Sequence, residues 1–255
     1  MTQYHLPVKF NEGSGNAIVL LHGLGNNHKS WSFVTEHMDY SQNRVIALDL
    51  LGFGDAPKPD VEYTSGDHAE AVIATLDKLG IEHAELTGHS MGCLVAIEVA
   101  KRRPDLVSKL VLLGAPIYKA LPRSDTWSRL MRSGGLYFRI FSVVKKNPEA
   151  VQVGGKIADE LVPLVKGVEI TEKIWPAYRK SLENTIMQFQ TYRDALELSV
   201  PTLYVNGIFD LFIIRRNNQE IAKRNKRYAR AKTMLGPHEI TPRQGKKIAR
   251  ILQEL

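Results

Sequence analysis

Short apolar runs recur along the chain, separated by longer stretches of mixed character. "AIVLL" (17–21), "RVIAL" (44–48), "AELTG" (84–88) and "KLVLLG" (109–114) are continuous or nearly so. A strand covered on both faces reads this way, so these runs predict buried parallel strands. "PTLYVNG" (201–207) and "AKTML" (231–235) fit two more. Between the runs the period changes. In "SGDHAEAVIATLDKLG" (65–80), Ala69, Val72, Ile73, Leu76 and Leu79 form one stripe at helical spacing, with Ser65 as candidate cap and Gly80 as the stop. Residues 91–103 predict a second helix that ends before Pro104. "TPRQGKKIARILQEL" predicts a last one, opened by a Thr cap with Pro in its first turn. Strands alternating with helices predict an α/β fold, a mostly parallel sheet with helices on both faces.

One stretch breaks the rhythm. Residues 117–198 carry helical patterns and no strand pattern, and they hold 9 of the chain's 20 aromatics, among them Trp127, Tyr137, Phe138, Phe141, Trp175 and Tyr178. An insertion between two parallel strands emerges at the sheet's carboxyl edge, where ligands bind in such folds. The expected organisation is a core of residues 1–116 and 199–255 with a helical lid over 117–198.

Composition narrows the classes. A length of 255 residues, with 44% hydrophobic and 24% charged, suits a soluble globular protein. No apolar run reaches the roughly 18–20 residues of a membrane span, and no basic-then-apolar leader opens the chain. The lone Cys93 excludes an internal disulfide and a cysteine-cluster metal site. A cytoplasmic location is expected, with no cofactor, no metal and no stable membrane insertion. The net charge of +7 is uneven: residues 211–255 carry 12 Lys/Arg against 3 Asp/Glu, and residues 1–116 carry 9 against 14. No nucleic-acid motif accompanies the basic end, so it reads as a solvated helix face and nucleic acid is not an expected partner.

The candidate chemistry starts at "GHSMG" (88–92), a G-x-S-x-G between a predicted strand and a predicted helix. The tight turn strains the serine, and side chains at Gly88 and Gly92 would strike the adjoining helix and strand. Ser90 is the candidate nucleophile; the competing role is a helix cap in a glycine turn. A serine nucleophile needs a base and an orienting acid, in the chain order Ser, acid, His for this strand–turn–helix context. His238 is the only histidine after Ser90, and it follows the run "AKTML". Between Pro201 and His238 the acids are Asp210 and Glu220. Asp210 stands just past a predicted strand and Glu220 inside a helical pattern, so Asp210 is the candidate. The oxyanion donors expected are the backbone N–H groups of Met91, after the nucleophile, and Leu24, in "HGLG" after the first buried strand. His22 is expected to brace that loop, and "GLGNNHKS" lacks the third glycine of a dinucleotide fingerprint.

"HGLG" (22–25), "DLLGFGDAPKP" (49–59), "GHSMG" (88–92), "NGIFD" (206–210) and "PHE" (237–239), spread over nearly the whole chain, resemble the α/β-hydrolase superfamily, in its lidded esterase, lactonase and C–C hydrolase branch. The resemblance implies a structural role for Asp49 and its glycine loop, and packing roles for His89 and Cys93. Three departures stand out: a short segment before the first buried strand, Pro237 in place of a glycine before the histidine, and no proline soon after Asp210. The first implies a single short strand or a stunted hairpin at the start of the sheet. The implied activity is hydrolysis of a small-molecule carboxylic ester with an apolar acyl or aryl group, as in a carboxylesterase. The same triad would serve a lactonase, thioesterase, C–C hydrolase or acyltransferase. A non-catalytic ligand-binding protein of this fold is the remaining alternative.

Overall fold

A computed structural model describes residues 3–119, 136–146 and 171–254. Seven strands form one sheet: β1 (Val8–Glu12), β2 (Asn16–Leu21), β3 (Asn43–Leu48), β4 (Ala84–His89), β5 (Val107–Leu113), β6 (Thr202–Gly207) and β7 (Ala229–Met234). Their spatial order is β1-β3-β2-β4-β5-β6-β7. All neighbours pair in parallel except β1, a single short strand antiparallel to β3. The described helices are α1 (Ser32–Thr35), α2 (Ser65–Lys78), α3 (Met91–Arg102), α4 (Leu136–Lys146), α5 (Trp175–Ser181), α6 (Gln190–Glu197), α7 (Arg215–Arg224) and α8 (Pro242–Glu254).

The apolar runs are continuous because each strand feeds two cores in alternation. Val19, Leu21, Ile46, Leu48, Leu110, Leu112 and Tyr204 share one core with the apolar faces of α2 and α3. Their neighbours Ile18, Leu20, Val45, Ala47, Val111, Leu113, Leu203 and Val205 share the other with Trp31, Val34, Ile248 and Leu252. Two expectations are corrected. The cap of α2 is Thr64 rather than Ser65: its hydroxyl takes the Asp67 N–H while the Asp67 carboxylate takes the Thr64 N–H, a reciprocal box that Ser65 is one residue too late to make. The last strand runs over 229–234 and is a mostly exposed edge, where Arg230 and Lys232 discourage pairing with another chain.

Three of the described α-helices, α4, α5 and α6, lie between β5 and β6 in the chain, with a π-helical turn at Leu182–Ile186 joining the last two. Trp127 lies outside the described residues. Among the described residues no helix is long and apolar enough to cross a membrane. The basic side chains Lys223, Arg224, Lys226, Arg227, Arg230 and Lys232 are exposed.

Candidate active site

Ser90 sits between the central strand β4 and α3, with φ 54° and ψ −119°. A non-glycine residue at positive φ is strained by about 1–3 kcal/mol. The surrounding packing enforces it. A Cβ on Gly88 would lie 2.5 Å from the Cys93 nitrogen, and one on Gly92 2.1 Å from the Leu21 carbonyl oxygen of β2. Bare glycines at both places let the turn close, and the Ser90 N–H donates to the Leu113 carbonyl at 2.9 Å.

His238 follows β7 and Asp210 follows β6, so the crossovers bring both to the edge where β4 ends. His238 Nε2 lies 2.9 Å from Ser90 Oγ, and His238 Nδ1 lies 2.7 Å from Asp210 Oδ2. All three side chains are buried. Burial opposes an imidazolium at His238, but the Asp210 charge and hydrogen bond outweigh it and raise its pKa above the ordinary histidine value. Nδ1–H therefore donates to Asp210, and the Nε2 lone pair of the neutral ring faces the serine hydroxyl. Glu220 is elsewhere: it pairs with Lys119 and accepts from the Tyr192 hydroxyl at 2.8 Å.

The glycine loop after β2 is braced as its sequence suggests. His22 Nδ1–H donates to the Gly23 carbonyl at 2.8 Å, and Nε2 accepts the Leu50 N–H at 2.9 Å. Burial lowers the His22 pKa to about 4, which keeps the ring in the neutral form this pairing requires. Holding the Gly23 carbonyl also fixes the peptide plane that carries the Leu24 N–H on its opposite side. Leu24 lines the cavity over Ser90, and Met91 opens α3, where a backbone N–H has no helical partner. Asp49 ties two loops together: Oδ1 accepts the His28 N–H at 2.8 Å and Oδ2 the Asp55 N–H at 2.9 Å. The Cys93 thiol is buried and donates to backbone carbonyls.

Several contacts have no counterpart in the sequence reading. His89 does more than pack: its Nε2–H donates to the His238 backbone carbonyl at 2.9 Å. Burial, followed by the neighbouring His238, lowers the His89 pKa to about 3, so the ring stays neutral. Phe212 stacks on the His238 ring at 4.4 Å, and its N–H donates to Asp210 Oδ1 at 2.8 Å. That bond orders the acid loop, which has no proline soon after Asp210. The Tyr118 hydroxyl donates to the Phe212 carbonyl at 2.5 Å. From α4, the Tyr137 hydroxyl reaches Ser90 Oγ at 2.6 Å. The cavity above the serine is about 10 Å³ and is lined by Leu24, Asn26, Tyr137, Ile140, Tyr178 and Glu239 beside Ser90 and His238. Burial raises the Glu239 carboxyl above the usual range, with Asp210 adding to the effect and His238 opposing it. Phe138 lies on Tyr118 at 4.7 Å, and Trp175 stacks on the cavity-lining Tyr178 at 6.0 Å. Among the described residues, no group of three or more His, Cys, Asp or Glu could hold a metal ion.

The family model for the alpha/beta hydrolase fold matches residues 16–232. The chain belongs to the α/β-hydrolase family. Within it, a 2-hydroxymuconate semialdehyde hydrolase of a Pseudomonas species is 36% identical over 109 residues, 41% of this chain and 38% of that protein. A probable lysophospholipase of Arabidopsis thaliana, BODYGUARD 4, is 31% identical over 118 residues, 45% of this chain and 28% of that protein. An uncharacterised protein of Mycobacterium tuberculosis is 41% identical over 104 residues, 40% of this chain and 30% of that protein. The matches thus span well under half the length of these relatives. Among solved α/β-hydrolase structures, Est816, described as an N-acyl homoserine lactone degrading enzyme, superposes with a TM-score of 0.71 at 22% identity, covering 96% of this chain and 95% of that one. The enol-lactonase of Burkholderia xenovorans LB400 superposes with a TM-score of 0.69 at 19% identity, covering 96% and 94%. At these identities the superpositions establish the fold.

Proposed function

We propose that the chain is a serine hydrolase that cleaves a small carboxylic ester through an acyl-enzyme. The observation that carries this reading is the continuous chain from Asp210 Oδ2 through His238 to Ser90 Oγ, at 2.7 and 2.9 Å. Neutral His238 accepts the Ser90 proton as Oγ attacks the carbonyl carbon. The N–H groups of Leu24 and Met91 receive the oxyanion. His238 then protonates the leaving alcohol, and later deprotonates the water that releases the acid. Asp210 holds the tautomer and favours the imidazolium that forms.

In this reading residues 117–198, of which 120–135 and 147–170 lie outside the described residues, act as a lid, and Leu24, Ile140 and Phe212 offer an apolar wall to the acyl group. The relatives act on varied bonds, so lactone, thioester and C–C cleavage and acyl transfer belong to the same chemistry, while ligand binding without turnover does not. A fluorophosphonate titration tests the proposal. One equivalent should label Ser90, and Ser90→Ala should abolish labelling and lower ester turnover by several powers of ten while the protein stays folded. Turnover retained in Ser90→Ala would overturn it.

A further inference from the structure

Ser90 Oγ has a second partner besides His238. Tyr137, at the start of α4, places its hydroxyl 2.6 Å from Oγ, closer than His238 Nε2 at 2.9 Å. Proton accounting assigns the direction. His238 Nδ1–H donates to Asp210, so Nε2 can only accept, and the single Ser90 proton goes there. The Tyr137 O–H must then donate to an Oγ lone pair. Burial raises the Tyr137 phenol well above its ordinary value, although the Ser90 bond works against it, so the group remains a donor throughout the neutral pH range. The ring is buried against Phe212 at 4.9 Å.

This donor stands where an acyl carbon has to approach. The cavity of about 10 Å³ leaves space for about one water. A substrate carbonyl therefore displaces the Tyr137 hydroxyl from Oγ and takes its place. A displaced donor in so dry a site is costly unless it meets another acceptor. Beside the scissile carbon of an oxygen ester or lactone stands a singly bonded oxygen, a weak acceptor while its lone pair is shared with the carbonyl and a strong one once the tetrahedral intermediate ends that conjugation. The sulfur of a thioester accepts weakly, and the carbon of a C–C substrate does not accept.

We propose that Tyr137 is a specificity-determining residue that passes its hydrogen bond from Ser90 Oγ to the singly bonded oxygen of the substrate, selecting oxygen esters and lactones over thioesters and C–C substrates. The proposal rests on the serine-hydrolase reading above. The acylation steps are these, and water later releases the acid as above. Oγ bonds to the carbonyl carbon as its proton passes to His238 Nε2, and the carbonyl π pair moves onto oxygen. When that pair returns, the C–O bond breaks and the alkoxy oxygen takes the His238 proton. Tyr137 keeps its own proton and supplies only a hydrogen bond, which strengthens as charge develops on the leaving oxygen.

The test compares an alkyl ester with its thioester of the same acyl and alkyl groups, in the wild type and in Tyr137→Phe. The acyl length is the one the wild type hydrolyses best. The phenylalanine keeps the ring on Phe212, and unchanged melting and fluorophosphonate labelling serve as controls. The wild type should prefer the oxygen ester. In Tyr137→Phe its kcat/KM should fall by about 10- to 100-fold, mainly in kcat, while the thioester changes by no more than about threefold. Equal losses on both substrates, or gains on both from an unblocked serine, would overturn the assignment of Tyr137 and leave the triad reading standing. Absence of both labelling and turnover in the wild type would overturn the triad reading, and this proposal with it.

Discussion

At the scale of single residues, the proposed mechanism turns on the choice of acid. Asp210 holds His238 at 2.7 Å and is the largest influence raising its pKa, while Glu220 is engaged with Lys119 and Tyr192. Asp210→Asn keeps the volume but removes the charge. Turnover should fall about a thousandfold or more, whereas Glu220→Gln should change little. The pH profile supplies a second check. In the proposed mechanism catalysis needs neutral His238, so wild-type kcat/KM should be lost as the pH falls through the raised pKa. Without the Asp210 charge, burial dominates and lowers that pKa, so the residual activity of Asp210→Asn should persist to lower pH. Reversed results for the two acids, measured with one ester across pH 5–9, would contradict the assignment.

At the scale of elements, the insertion helices divide their side chains between packing and the cavity. Helix α4 turns Phe138 toward Tyr118 and brings Tyr137 and Ile140 to the cavity. Phe138→Ala should therefore act on the fold: a buried aromatic truncated in place costs about 3–5 kcal/mol, read as a lowered melting temperature with an unchanged acyl preference. Ile140→Ala should shift the preferred acyl length through KM by about 10-fold, the worth of a methylene or two in an apolar pocket. A p-nitrophenyl ester series of increasing chain length separates the two effects. If Phe138→Ala moved the acyl profile and Ile140→Ala did not, the division of the helix faces would be wrong.

Across the whole molecule, four histidines lie in the interior of the described residues, and burial dominates at three of them. Burial lowers the pKa values of His22, His68 and His89 to about 4, 3 and 3. Their folded pKa values lie below the unfolded value near 6.5, so the unfolded chain binds more protons under mildly acidic conditions. The stability they contribute is present above pH 6.5 and is lost as the pH falls toward the folded values. Each site changes stability by about 1.4 kcal/mol per pH unit in that window. His238, Glu85 and Glu239, shifted upward, act in the opposite sense. Urea melts of His68→Asn isolate one site. Its constant loss cancels in the difference between pH 7 and pH 5, which should be about 2 kcal/mol smaller than in the wild type. An unchanged difference would show that His68 is not held neutral.

What the sequence determined by itself was the part written in local order. Continuous apolar runs marked strands covered on both faces, and G-x-S-x-G marked a turn that closes only without side chains at Gly88 and Gly92. Chain order singled out Asp210 and His238 as candidates, since each follows a strand and all parallel strands end at one edge. The exposed β7 was less legible, because a strand's rank within the sheet is not encoded in its own residues. Tertiary structure alone decided the contacts that cross the chain. Tyr137 reaches Ser90 over 47 positions, and His89 reaches the His238 carbonyl over 149. Such pairs leave no periodicity, because they depend on where α4 and the β7 loop come to rest on the sheet. The choice of Ile140 rather than Phe138 for the cavity has the same cause: an amphipathic pattern shows that a helix has faces, and only the packed neighbours show what each face meets.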